Sequence, residues 1–167
     1  LGKAPMGIDG CSIPTFGVAL TRLAHAMARV ATGQGLTPGR AAAASRLRKA
    51  VAAAPFMVGG SGRFDTRVMT LFGERVFCKV GAEGMYCAAL PDAGWGLALK
   101  MDDGNNARAC EVALAALLEA LGVARNEAER ALLAELSDVN LRNWRGTPVG
   151  RLAAQLELRR TLPQADA

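Results

Sequence analysis

Two short stretches hold the residues whose types and spacing can do chemistry. The first is residues 74–90 (ERVFCKVGAEGMYCAAL), where Lys79 interrupts an apolar pattern and is followed, one residue on, by Gly81. A charge among apolar neighbours is costly unless it is paired, used or carried out to solvent on its long stem. At a strand end before a small turn, an ammonium can point into a cleft, where it lowers the pKa of a nucleophile or binds a carboxylate. Gly81 lets a substrate backbone approach the strand edge. The second stretch is residues 8–14 (IDGCSIP). Asp9 and Cys11, two apart on a glycine turn, can converge on one point. Cys11 can serve there as metal ligand or nucleophile, and Asp9 can orient a lysine or a substrate amine. The same residues also suit an Asx turn beside a buried thiol. The expectation is that the two stretches meet at one site.

Other chemistries find little footing. The one histidine, His25, falls inside an expected helix with no partner at useful spacing, which argues against a Ser-His-Asp triad. Residues 45–49 (SRLRK) are one residue too long for a Ser-x-x-Lys pair, and no such pair occurs anywhere in the sequence. GGSGR lacks the ending of a phosphate-binding loop and follows no strong strand. DDGN at 102–105 resembles the start of a calcium loop but has no closing glutamate, so helix capping is the better reading. Cys11, Cys78, Cys87 and Cys110 form no Cys-x-x-Cys pair, which argues against a structural zinc knuckle. Cys78 and Cys87 fall in expected strands and Cys110 in an expected helix. Buried free thiols in a reducing, cytoplasmic setting account for them most simply.

These residues must be positioned by a chain of 167 residues, long enough for one core of ordinary size. Only 5% of residues are aromatic, so Ala, Leu, Val and Met must build that core. The formal charge is +5, but the basic residues are spread out and form no run interleaved with aromatics. That pattern reads as solvated arginine and gives no nucleic-acid partner. No apolar run reaches membrane-spanning length, and the start carries no signal-peptide core. The sequence begins without methionine, which reads as a fragment, a processed chain or an incomplete sequence.

The spacing predicts loop over 1–14, a helix over 15–31 capped by Thr15, and a helix from Pro38 to about residue 54. A glycine-rich loop over 55–62 and a short helix over 64–72 follow. Strands are expected over 75–80, 84–90 and 95–101, joined by tight turns as an antiparallel meander. Helices are expected over 107–121 and 126–136, a loop over 140–146, a last strand over 147–158 with helix as competitor, and a frayed tail over 159–167. One domain is expected over 1–167.

The residues resemble a known family. GIDGCSIPTFGVALTRLAHAMARVA looks like the Asp-Gly-Cys-x-x-Pro segment of the bacterial asparaginase II family, the Rhizobium-type L-asparaginases. PFMVGGSGRFDTRVM resembles its Met-Val-x-Gly-x-Gly-Arg segment, CKVGAEGMYCAAL its Lys-x-Gly-Ala strand pair, and GWGLALKMDDGNNARA its next strand and Asp-Gly turn. The motifs occur in family order over about residues 7–122, with a weaker match near 143–150.

The resemblance implies an α/β (α+β) fold similar to serine β-lactamases and glutaminases, with an antiparallel sheet packed by helices and a Lys-x-Gly strand edging the site. It implies hydrolysis of the side-chain amide of L-asparagine to aspartate and ammonia. It matches Cys11 to a zinc-binding cysteine, Asp9 to an acid beside that site and Lys79 to the Lys-x-Gly lysine; Lys79 and Asp9 are the expected catalytic residues, and Gly81 at the strand edge and Arg63 in the Gly-Arg segment the expected substrate-binding ones. The family's serine nucleophile with its Ser-x-x-Lys lysine, and two further zinc ligands, belong to an N-terminal half to which nothing here is similar. The expected partners are therefore such a half or a second chain, with a homo-oligomer as the other outcome. Asp65 stands where relatives often carry a cysteine. The alternative function is a degenerate, non-catalytic domain that binds an amino-acid ligand or a partner subunit.

Overall fold

The computed structural model describes residues 5–155. The expected tail at 159–167 and the last residues of the expected final strand lie outside them. The first segment departs from the expected loop. In its place, β1 (Met6–Ile8) and β2 (Pro14–Phe16) pair antiparallel, Met6 opposite Phe16 and Ile8 opposite Pro14. The turn between them is closed by the Asp9 N–H donating to the Ile13 carbonyl at 3.0 Å and the Ser12 N–H to the Asp9 carbonyl at 2.8 Å. Glycine and proline read as loop punctuation, but a two-stranded ribbon tolerates both at its edges. Thr15 belongs to β2 and caps nothing, so helix α1 (Leu20–Thr32) starts five residues after it.

Helix α2 (Pro38–Ala53) begins on its proline, as the sequence requires. The expected loop at 55–62 holds a single helical turn, α3 (Pro55–Gly59), also started by proline. The Thr66 hydroxyl donates to the Gly60 carbonyl at 2.7 Å and ties that turn to α4 (Phe64–Phe72). The expected meander forms in full: β3 (Phe77–Val80), β4 (Met85–Leu90) and β5 (Trp95–Lys100) lie in the order β3-β4-β5, all antiparallel. A π-helical turn, Asn106–Cys110, leads into α5 (Glu111–Ala120). Helix α6 (Glu127–Ser137) runs straight into β6 (Asp138–Arg142), which pairs with β7 (Pro148–Ala153). The expected loop at 140–146 is thus half strand. Its turn is held by the Asn143 carboxamide oxygen, which accepts the N–H groups of Arg145 and Thr147 at 3.0 Å each.

The architecture is α+β: small antiparallel sheets with six helices among the described residues. Register divides the central sheet into two faces. Cys78, Tyr86, Ala88, Leu90 and Leu99 face the apolar core with Val68, Met69 and Phe72 of α4, Leu114 and Leu118 of α5, and Leu133 of α6. On the opposite face, α1 packs across β5 and β4. The approach is so close that a Cβ on Gly96 would fall inside the van der Waals radii of the Ala24 carbonyl oxygen and the Ala28 nitrogen. Gly96 is therefore what lets this helix lie on the sheet.

Helix α6 is set by a buried acid. The Asn126 carboxamide oxygen accepts the Glu129 N–H at 2.9 Å, an N-cap reaching the third helical residue. The Glu129 carboxylate, 3% exposed, accepts from the Arg75 guanidinium, the Arg125 N–H and the Asn126 amide. Burial alone would raise this carboxyl, but those donors outweigh it and hold it below its ordinary value.

Two outcomes follow for stability. Gly96→Ala is expected to cost about 3 kcal/mol, because the backbone of α1 must move, and the measured quantity is the denaturant midpoint. A depressed carboxyl stabilises the fold above its unfolded pKa and loses that contribution as pH falls through the folded one. Wild-type stability is therefore expected to fall as pH drops below about 4.5, the ordinary value for Glu129, and the acid limb should flatten in Glu129→Gln, read from thermal melts between pH 3 and 7.

Candidate active site

The open end of the α1-covered face carries the candidate chemistry. Register puts Lys79, Met85, Cys87, Ala98 and Lys100 together on that face, Lys79 directly opposite Cys87 and Met85 opposite Lys100. Lys79 is exposed, and its ammonium donates to the neighbouring Val80 carbonyl at 2.9 Å. Lys100 folds over the β3–β4 turn and donates to the Glu83 carbonyl, and to that of Met101 at 3.3 Å.

That turn is tight. The Gly81 N–H donates to the Met85 carbonyl at 2.8 Å. Asn106 then grips both ends: its amide donates to the Gly81 carbonyl at 2.7 Å and its oxygen accepts the Met85 N–H at 3.0 Å. A Cβ on Gly81 would lie 2.9 Å from Met85 Cβ, so the glycine is needed for hairpin closure, whatever else it admits.

The β1–β2 hairpin supplies the opposite wall. Asp9 Oδ1 accepts the Gly10 N–H at 2.7 Å, and Cys11 Sγ donates to Asp9 Oδ2 at 3.5 Å, so acid and thiol do converge. Asp9, Ile8 and Thr15 line a cleft of about 450 Å³ together with Ala82, Glu83 and Met85 of the β3–β4 turn. The two stretches singled out in the sequence therefore face a common space. Cys11 and Lys79 lie outside that lining. Arg63 stands apart, exposed at the N-cap of α4, and its positive charge acts on Glu111 of α5. Burial still leaves the Glu111 carboxyl raised.

Beneath the site lies a polar group that sequence reasoning missed. Asp65, 1% exposed in the first turn of α4, accepts from the Tyr86 hydroxyl at 2.7 Å and from the Val80 N–H at 3.3 Å. Burial, reinforced by a hydrogen bond to Asp65, keeps the Tyr86 phenol protonated far above its ordinary range. Burial, then the charge of Asp65, pushes the Cys78 thiol up likewise. A signal was present: Tyr86 is the only tyrosine in the sequence and sits in an apolar strand, where its hydroxyl must find a partner. Asn106 gave no comparable signal, since Asn105–Asn106 reads only as a capping turn. The capping falls to Asn105, which accepts the Arg108 N–H at 3.1 Å.

The chain matches the family model described as L-asparaginase II over residues 2–154, and it belongs to that family. Membership carries an asparaginase-type hydrolase function with asparagine as the implied substrate. A comparison with curated proteins finds no match. No helix among the described residues is long and apolar enough to cross a membrane.

Thiol labelling checks the arrangement of the four free cysteines. At pH 8 exposed Cys11 should react with a disulfide reagent first. Cys87, half-buried with its thiol raised by burial, should be slower. Cys78 and Cys110, the latter pushed up to about 11 by burial and then by Glu111, should react only on unfolding.

Proposed function

We infer that this protein forms one part of an L-asparagine amidohydrolase with a serine β-lactamase-like fold, completed by an N-terminal half or a second chain. The observation that carries the reading is the shared cleft between Asp9 on the hairpin and the turn that follows Lys79. The reaction breaks the carbon–nitrogen bond of the asparagine carboxamide, with water supplying the new oxygen and ammonia leaving. No Ser-x-x-Lys pair exists in these 167 residues, so the attacking serine and its lysine come from the completing segment. Lys79 supplies a positive charge at the strand end, to steady the carboxylate of the substrate or the oxyanion that forms during attack. Asp9 orients the substrate amine. Gly81 keeps the strand edge approachable, whereas Arg63, at the N-cap of α4 and outside the cleft lining, is given no part in it.

Zinc fits these residues as a partial site. Cys11 and Asp9 offer a thiol and a carboxylate, both acceptable to zinc, with their donor atoms 3.5 Å apart and both residues exposed. Among the described residues no group of three such donors occurs, so the remaining ligands come from the completing segment. Bound zinc would hold the hairpin turn to that segment and supply a fixed positive charge. Exposed apolar residues on the hairpin, Met6, Ile8, Ile13 and Phe16, support association there with the missing half, or with another copy in a homo-oligomer. Four free thiols suit a cytoplasmic setting.

The test is ammonia release from L-asparagine by the protein alone and by a form completed with a serine-bearing half. Turnover is expected only in the completed form, and Lys79→Met should lower its kcat about 100-fold, the scale of one lost transition-state donor. Equal activity of the isolated protein would sink the missing-half account. A completed form that binds L-aspartate yet never turns over asparagine would establish the non-catalytic alternative.

A further inference from the structure

Asp65 raises a question that packing does not answer. A buried carboxylate costs far more than an apolar residue of the same size unless its position is used. Glu129, the other buried acid among the described residues, meets the Arg75 guanidinium. The oxygens of Asp65 are met by two uncharged donors, the Tyr86 hydroxyl and the Val80 N–H.

The use lies at the sheet edge. β3 is an outer strand. The Gly81 N–H points inward across the ladder to Met85, so by alternation the Val80 peptide groups point outward. Both are engaged: the N–H by Asp65, the carbonyl by the Lys79 ammonium. Val80 also pairs with Tyr86 across the ladder. One carboxylate therefore grips both members of the rung next to Lys79, one through its backbone and the other through its hydroxyl.

We propose that Asp65 is a positioning residue for Lys79: by anchoring the Val80 peptide and the Tyr86 hydroxyl from the core side, it fixes the carbonyl on which the Lys79 ammonium rests. The catalytic consequence rests on the role given to Lys79 above, whereas the anchoring does not. A strand end free to shift by an ångström would place that ammonium poorly for a developing charge, and such misplacement costs rate rather than affinity.

The discriminating variant is Asp65→Val/Tyr86→Phe, in which both polar partners become apolar together and the fold has no orphaned hydroxyl. Three quantities are measured: the melting temperature, amide hydrogen exchange at Val80 against that at Ala88, and the Lys79 Cε carbon resonance. The melting temperature should stay within a few degrees. Val80 exchange should rise at least tenfold while Ala88 is unchanged, and the Lys79 resonance should move to the position of a free lysine. In the completed enzyme kcat should fall at least tenfold with KM within about twofold. Asp65→Asn keeps an acceptor for Val80 and should recover all four readings.

An unchanged Val80 amide and Lys79 resonance in a folded double variant would overturn the proposal, as would full kcat despite a freed Val80. If the double variant does not fold, Tyr86→Phe decides: Asp65 alone should keep Val80 protected, and a freed Val80 would assign the anchoring elsewhere. Loss of all turnover in the wild-type completed enzyme would count against the asparaginase reading alone, because exchange and the lysine resonance still report on the anchor.

Discussion

The close seating of α1 on β5 is the constraint on which the rest of this structure depends. Only a residue without a Cβ at position 96 allows it. Once seated, the helix covers one end of its face of the sheet and leaves the other end open. Lys79, Cys87 and Lys100 stand at that open end. The opposite face is closed by α4 and α5 over a core of small and aliphatic side chains, as a sequence poor in aromatics requires. A sheet buried on one side and half bare on the other offers a floor for chemistry, with Lys79 and Lys100 held near strand ends and Asp9 on the β1–β2 turn.

Much of this was legible in the sequence, for identifiable reasons. The meander was readable because apolar runs alternate with short glycine turns, and α5 because its leucines recur at helical spacing. The β1–β2 hairpin was not, because its strands are three residues each and their side chains are exposed, so no buried alternation marks them. β6 was hidden for a different reason: α6 passes into it with no intervening breaker. At the site, Asp9 and Cys11 could be paired from their spacing on a turn. The convergence of Asp9 with the β3–β4 turn spans about seventy residues of sequence and depends on where the hairpin folds back, which local pattern does not encode. Asp65 escaped because a carboxylate in the first turn of a helix ordinarily serves the helix dipole and faces water.

The two peripheral hairpins differ from the central sheet in what stabilises them. Along β1–β2, apolar side chains such as Ile8 and Ile13 remain open to solvent, and Trp144 at the tip of the β6–β7 ribbon is fully exposed. Isolated two-stranded ribbons are marginal in water. Their order here is tied to local turn hydrogen bonds and, for β6–β7, to contacts with α6 and α5, so they are the segments whose surroundings in a larger assembly would change their energetics most.

The grip of Asn106 on the β3–β4 turn has a further consequence. Asn106 begins the π-helical turn that feeds α5, and α5 carries some of the most deeply buried side chains in the molecule. One carboxamide thus joins the wall of the cleft to the interior as a mechanical linkage. The closure that walls the cleft and the helix that fills the core are therefore anchored through the same short stretch of chain.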